Sequence, residues 1–310
     1  MKIVIVGPGA IGSLLGAFLS KTKEEIWLLD YKKERAAKIA QTGISLEGIS
    51  GNWQAKLNIS TDPKEIGIAD LVIICVRSYD TKQAILSSKA LIKENTSILT
   101  LQNGIGNVEI ISEVVGNDKV IAGVTNLGAT LIDTGKIKHA GKGETVIGRI
   151  DGKMTTSIRS IRELFNKAGL EIKASRDIKG LIWSKLITNV GINALTAITR
   201  LNNGKLTEFE GTRRIMRDAV TEAIRVAKRK RIKLTSDDPL AKVEAVSEAT
   251  GTNISSMLQD VLHNKRTEID FINGVIVRQG QELGIPVPTN QLLVDLVKTI
   301  EASYEITINK

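Results

Sequence analysis

The chain has 310 residues, 42% of them hydrophobic, with five prolines and a formal net charge of +9. That is enough apolar material for one large domain or two smaller ones, and a globular rather than a disordered chain is expected. A single cysteine, Cys75, excludes an intramolecular disulfide and a cysteine-based zinc cluster, while aromatic residues at 3% leave a basic chain little with which to stack nucleic-acid bases.

Lys2–Val6 is a continuous apolar run that reads as a strand. It leads at once into Gly7-Pro8-Gly9-Ala10-Ile11-Gly12 and the helical pattern SLLGAFLSK. Glycines interrupt the run and no small-residue cleavage site closes it, so it is not read as a signal peptide. No stretch approaches the roughly 18 uninterrupted apolar residues of a membrane span. A reducing, cytoplasmic setting without membrane contact is therefore expected.

The G-x-G-x-x-G spacing alone is weak. Between a strand and a helix, and followed by a second strand EIWLLD, it points to a Rossmann-type dinucleotide site. The glycines permit a tight turn and close backbone approach to a pyrophosphate, and the helix N-terminus supplies amide donors and the positive end of a dipole. Asp30 ends the second strand, where an acid would hydrogen-bond the ribose 2′-hydroxyl of NAD and repel the 2′-phosphate of NADP. Lys32, Lys33 and Arg35 follow and could pull the other way.

Residues 43–57 carry strand signals, and Asp70–Val76 reads as a buried strand by its length and lack of alternation. Arg77-Ser78-Tyr79 follows its carboxyl end, where ligands gather in an open α/β sheet. A further strand, Ser97–Leu101, runs into Gln102-Asn103-Gly104, placing Asn103 at the same rim. Val120–Thr125 and Glu144–Gly148 look like more strands, with GKIKHAGKG as a turn-rich connection between them. A helix over Thr155–Ala168 and a short strand near Leu170–Ala174 complete a first domain, residues 1–175.

From residue 176 to 310 the period is helical throughout: the stretch Gly180–Arg200, then Glu208–Lys230, Asp238–Thr250, Ser255–Val261, Glu268–Leu283 and Asn290–Tyr304. This shift marks the domain boundary and the fold class, α/β followed by an all-helical domain. In Gly180–Arg200, Lys185, Asn189 and Asn193 recur every four residues and share one face. Leu181, Ile182, Trp183, Leu186, Ile187, Val190, Ile192 and Leu195 surround them. A helix this apolar is buried, and polar groups on it need partners, from the protein itself or from a small polar ligand. A partly desolvated lysine suits the second role, because its lowered pKa lets it bind an anion and release a proton near neutrality.

Ser256 reads as a helix cap and Glu268 as a helix N-terminal charge, unless a ligand claims them. His139 and His263 have neither nucleophile nor metal spacing and read as surface or structural residues. No metal site is expected. The basic run Arg225–Lys233 carries no aromatics and reads as a solvated helix face rather than a nucleic-acid surface.

Together these pieces resemble the ketopantoate reductase family. The resemblance rests on GPGAIG at the start, LQNG at 101–104, WSKLITNVGIN at 183–193, NNG at 202–204, and SSMLQD with TEIDFINGVI at 255–276. It implies reduction of a 2-keto acid, ketopantoate, by NADPH or NADH, with the active site in a cleft between the two domains. By position, Lys185 is implied to be the general acid. Asn189, Asn193, Asn203 and Ser256 would bind substrate, Asn103 and Glu268 would serve both substrate and cofactor, and Ala129 would stand in a cofactor-lining loop. Arg77 matches a basic residue near the adenosine end, and Gly7, Pro8, Gly9, Ala10, Ile11, Gly12 and Asp30 complete the cofactor set. Asp30 departs from the family, many of whose members have a basic residue there, and leans toward NADH against the family's NADPH. Three rivals stay open: a reductase of another branched or aromatic 2-keto acid, a 3-hydroxyacid or 6-phosphogluconate dehydrogenase, and a non-catalytic nucleotide-binding regulator. The expected partner is a small 2-keto acid, with a homodimer left open.

Overall fold

A computed structural model describes residues 1–306; residues 307–310 of the expected second domain lie outside them. The chain packs as two compact units. The first comprises Met1–Gln102 and Gly106–Ile178, and the second comprises Asn103–Ile105 and the chain from Lys179 onward.

In chain order the first unit runs β1 (Lys2–Val6), α1 (Ala10–Leu19), β2 (Glu25–Leu29), α2 (Lys33–Thr42), β3 (Ile44–Gly48), β4 (Trp53–Ala55), β5 (Asn58–Ser60), α3 (Pro63–Ile66) and β6 (Leu71–Ile74). It continues with α4 (Thr81–Ser87), β7 (Ser97–Thr100), α5 (Asn107–Val115), β8 (Val120–Thr125), β9 (Gly128–Asp133), β10 (Lys136–Gly141), β11 (Thr145–Gly148), α6 (Thr156–Lys167) and β12 (Ile172–Ala174). Eight strands form one sheet in the order β12-β11-β8-β7-β6-β1-β2-β5. From β5 to β8 every pairing is parallel. This is the doubly wound order, which puts the turn after β1 at the carboxyl edge where the winding reverses.

The lack of alternation in these strands has a direct cause, because both sheet faces are covered. Ile3, Ile5, Leu28, Ile73 and Leu99 pack with Leu14 and Phe18 of α1 and Ile161 of α6. Their neighbours Val4, Leu29, Val72, Ile74 and Ile98 pack on the other side with Ile66, Ile85 and Ile111.

A second, four-stranded sheet of order β4-β3-β10-β9 corrects the reading of residues 135–143 as a mere connection. The hairpin between β9 and β10 turns at Gly135, whose φ is +76°. Beyond it Ile137 and His139 face inward while Lys136 and Lys138 face out, the period-2 signature of a half-buried strand. His139 is buried, with Nδ1 hydrogen-bonded to Ser50 Oγ at 2.8 Å and its ring edge-on to Phe18, and burial lowers its pKa. It is structural. His263 is exposed and its ring rests on the Gln259 carbonyl.

The helices of the second unit are α7 (Ile178–Thr199, its first residue in the first unit), α8 (Glu210–Arg229), α9 (Pro239–Ala249), α10 (Ser256–Leu262), α11 (Asn273–Leu283) and α12 (Pro288–Ala302). Two expected helices start later than their sequence pattern. Residues 203–207 and 269–271 are short 3-10 turns, so α8 begins at Glu210 and α11 at Asn273. Trp183, Leu186, Ile187, Val190 and Leu195 of α7 meet Met216, Val220 and Ala223 of α8 in one core. Gly191 allows that closeness, since a β-carbon there would stand 2.7 Å from Val243 and 2.8 Å from Val220.

By length and composition α7 could cross a membrane, with a mean hydropathy of 1.3 despite the polar residues that interrupt its apolar run. Yet 61% of that window is buried within the chain, as in a core helix. Over Arg225–Lys233, Val226, Ala227 and Ile232 are buried while Arg225, Lys228, Arg229, Arg231 and Lys233 are exposed, so the basic run is the outer face of α8 and its end.

Candidate active site

The glycine turn separates into two kinds of glycine. Gly7 has φ +92° and a β-carbon there would meet Val76 at 2.7 Å; at Gly12 it would lie 2.2 Å from the Gly7 carbonyl oxygen. The protein's own packing demands both. Gly9 is different: a β-carbon there would meet nothing within 4 Å. It precedes α1, whose N-terminus has no side-chain cap and no acid in its first turn. An uncapped helix start behind a bare backbone fits an anion such as a pyrophosphate. Pro8 is buried, its carbonyl accepting from Ser13 Oγ at 3.1 Å, while Ala10 and Ile11 are half-buried in the first turn of α1. Beside the turn, burial pushes the Cys75 thiol up to about 12, so it stays neutral.

Asp30 follows β2 with its side chain wholly buried. Its carboxylate accepts from Arg35 Nε and, at 2.5 Å, from Arg35 Nη2, and from the Lys32 amide at 3.1 Å. The guanidinium is partly exposed, and despite burial its pairing with Asp30 holds its pKa above the ordinary value. Arg35 and Lys32 both also approach the ring of Tyr31, which is 72% exposed. The acid expected to face a ribose is thus already paired, and the outward charge at this strand end is positive.

Arg77, half-buried, precedes a short 3-10 turn (Ser78–Asp80) after β6. A polar network joins this loop to the one after β7. Gln102 Nε2 donates to the Val76 carbonyl and to Thr81 Oγ1, both at 2.8 Å. Thr81 in turn donates to Asn107 Oδ1 at 2.8 Å, and Asn107 Nδ2 to Ser78 Oγ at 3.2 Å. Sequence reading passed over Gln102, Thr81 and Asn107 as supports; two rim loops flanking polar residues was the available signal. Ala129 stands on β9, paired with His139 and packed on the core, rather than in a loop.

On α7, Lys185 and Asn189 are half-buried and Asn193 is 6% exposed. Loss of water lowers the Lys185 pKa to about 8, and the charge of Glu268 acts against that fall. Glu268, 4% exposed, lies outside regular helix just before the 3-10 turn, not in the first turn of a long helix. Among the described residues the carboxamides of Asn189 and Asn193 have no hydrogen-bond partner.

One turn beyond Asn193, Thr196 Oγ1 and Ser255 Oγ share a hydrogen bond at 2.6 Å. Ser255 accepts from the Leu258 amide at 3.1 Å and is therefore the cap of α10, correcting the assignment of that role to Ser256. Ser256, half-buried, is left without a partner among the described residues. Asn203 is held from three sides: its amide donates to the Asn253 carbonyl, Nδ2 to Thr250 Oγ1 at 2.9 Å, and its carbonyl accepts from Ser247 Oγ at 2.6 Å. Its buried Oδ1 has no partner. Asn103 joins the same unit because the Ile105 amide donates to the Phe271 carbonyl at 3.1 Å, three residues past Glu268.

The structure thus gathers Lys185 with Glu268, docks the segment of Asn103 beside Glu268, and ties α10 to α7 next to Asn193. Gly7–Gly12, Asp30 and Arg77 belong to the first unit.

Residues 3–152 match the family described as Ketopantoate reductase PanE/ApbA, and residues 177–301 match its C-terminal domain. A 2-dehydropantoate 2-reductase of Halobacterium salinarum is 35% identical over 96% of this chain and 98% of its own. The crystal structure of a PanE/ApbA family ketopantoate reductase from Ralstonia eutropha is 36% identical, with a TM-score of 0.92 over 98% of this chain and all of that one. A D-mandelate dehydrogenase solved with NADH and anilino(oxo)acetate is 28% identical, with a TM-score of 0.92 over 99% of this chain and 100% of its own.

Proposed function

The chain belongs to the ketopantoate reductase family, and from that premise we propose that it reduces 2-dehydropantoate to pantoate, a step toward pantothenate and coenzyme A, in the cytoplasm. Residues 1–175 form the dinucleotide-binding domain and residues 176–310 the substrate domain. When bound, the nicotinamide dinucleotide supplies the hydride. The turn Gly7–Gly12 holds the pyrophosphate, with Arg77 toward the adenosine end and Asn103 along the cofactor.

The observation that carries the reading is the Lys185 ammonium within reach of the Glu268 charge, on a helix face whose asparagines Asn189 and Asn193 have no hydrogen-bond partner among the described residues. Lys185 stabilises the charge that develops on the keto oxygen and donates the proton that makes the hydroxyl. Asn103, Asn189, Asn193, Asn203 and Ser256 orient the substrate's carboxylate and hydroxyl, the positioning that accounts for much of enzymatic rate. Glu268 accepts from the substrate hydroxyl and keeps charge on Lys185.

For the cofactor we infer that NADPH is accepted at least as well as NADH. The pairing of Asp30 with Arg35 supports this, since a neutralised, buried carboxylate no longer repels a 2′-phosphate and the neighbouring cations attract it. Loss of reduced cofactor absorbance on adding ketopantoate, run in parallel with NADH and NADPH and against phenylglyoxylate and 2-ketoisovalerate, tests both statements. Ketopantoate should be turned over best; no oxidation with any 2-keto acid would refute the assignment. Arg35→Ala should shift the NADPH-to-NADH ratio of kcat/KM toward NADH by about tenfold, the scale of one charge-assisted contact; an unmoved ratio would remove Arg35 from the site.

A further inference from the structure

Glu268 poses a positional problem. It stands outside α-helix, and a carboxylate on irregular backbone is held less closely than one on a helix or strand. Around it, however, one face of the last helix grips the chain at three successive places. Lys298 Nζ meets Asp270 Oδ1 at 2.7 Å. Glu301 Oε1 accepts from the Thr267 amide at 2.6 Å. Tyr304, just past the end of α12, donates its hydroxyl to the Lys265 carbonyl at 2.8 Å.

Residues 298 and 301 are three apart and so lie along one side of the helix, Tyr304 follows just past its end, and their contacts at 270, 267 and 265 bracket Glu268 on both sides. The far end of α12 is anchored as well. The buried carboxylate of Glu222 accepts from the Thr289 and Asn290 amides, both at 2.9 Å, and from Asn290 Nδ2 at 2.7 Å. Burial, with the charges of Glu301 and Asp260, pushes the Tyr304 phenol up to about 12, so it stays a donor.

We propose that Glu301, supported by Tyr304 and Lys298, is a positioning residue for the reduction: it fixes the backbone of the 265–270 segment so that the Glu268 carboxylate stays in register with Lys185 and the substrate. This inference rests on the assignment of Lys185 and Glu268 above. Of the three contacts, that of Glu301 is made to the amide N–H of the residue just before Glu268 and is partly buried, so it carries most of the effect, whereas the Lys298–Asp270 pair is half-exposed and screened.

The test is a double-mutant cycle on the full-length enzyme, read as kcat/KM for ketopantoate. Glu301→Ala should lower it about tenfold in the native background and less than about twofold in a Glu268→Gln background, because the residue through which it acts is already gone. Glu301→Gln, which keeps an oxygen acceptor for the Thr267 amide, should restore most of the loss. Equal losses in both backgrounds, no loss in the native background, or failure of Glu301→Gln to rescue would each overturn the proposal. Should Glu301→Ala fail to fold, Tyr304→Phe removes a single hydroxyl and carries the same cycle, with an expected loss of about threefold in the native background and none beyond Glu268→Gln; equal losses in both backgrounds, or none in the native one, would overturn the proposal here too. Glu268→Gln by itself tests the underlying assignment: if it and Lys185→Ala both left turnover unchanged, that assignment would fall first.

Discussion

The two units carry their candidate residues on different material. In the first, the candidate dinucleotide turn is six contiguous residues that work by what they lack: a side chain at Gly9, a cap and an acid at the start of α1. In the second, the candidate reacting groups are side chains far apart in the chain, Lys185 on α7 and Glu268 on an irregular segment, brought within reach of each other's charge when those segments pack. A backbone site tolerates variation around it so long as the glycines stand. A side-chain site depends on supports such as Ser255, Thr196 and Glu301, which touch nothing that reacts.

The largest effect that would sharpen this contrast is Lys185→Ala, which should lower turnover by at least about 10²-fold, the scale for losing a general acid, with dinucleotide affinity by fluorescence titration nearly unchanged. Equal loss in both would blur the division.

The pH profile follows from the same residue. Lys185 is lowered to about 8 by desolvation, so its ammonium form predominates below that pH and is lost above it. Reduction, which uses the ammonium, should decline above about pH 8, by about tenfold per further pH unit; the reverse oxidation, which needs the free amine, should rise over the same range. A flat reduction profile from pH 7 to 10 would exclude Lys185 as the titrating acid.

Gly9→Ala probes the other unit. With open space around its β-carbon, the melting temperature should hold while dinucleotide affinity drops about tenfold, about 1.4 kcal/mol; unchanged affinity would mean the turn does not closely approach its ligand.

The smallest expected effect is on folding. Gly191→Ala inserts a methyl against Val243 and Val220. The overpacking, about 1–3 kcal/mol, should exceed the roughly 1 kcal/mol that alanine gains over glycine in a helix. Chemical denaturation should show a net loss of about 1 kcal/mol, and a gain would mean that the helices shift apart freely.

Much of the first unit was legible because its strands are buried on both faces and stay apolar along their length, and because the glycine turn is a local pattern. The β9–β10 hairpin was misread since its inward residues, Ile137 and His139, are too few to outweigh the glycines around them. In the second unit the α7 stripe was legible from its four-residue spacing. The capping role of Ser255 was not, because two adjacent serines are equivalent by pattern and only the bond to Thr196 tells them apart.

Local chemistry along the chain therefore determined the class of fold, the glycine turn and the polar face of α7, since periodicity and backbone freedom are properties of neighbouring residues. Tertiary structure alone decided that Ser255 rather than Ser256 is tied to Thr196, and that Glu268 stands by Lys185 under the grip of α12. Those outcomes depend on charge, burial and hydrogen bonds between groups that meet only when distant segments pack, and no spacing in the chain encodes them.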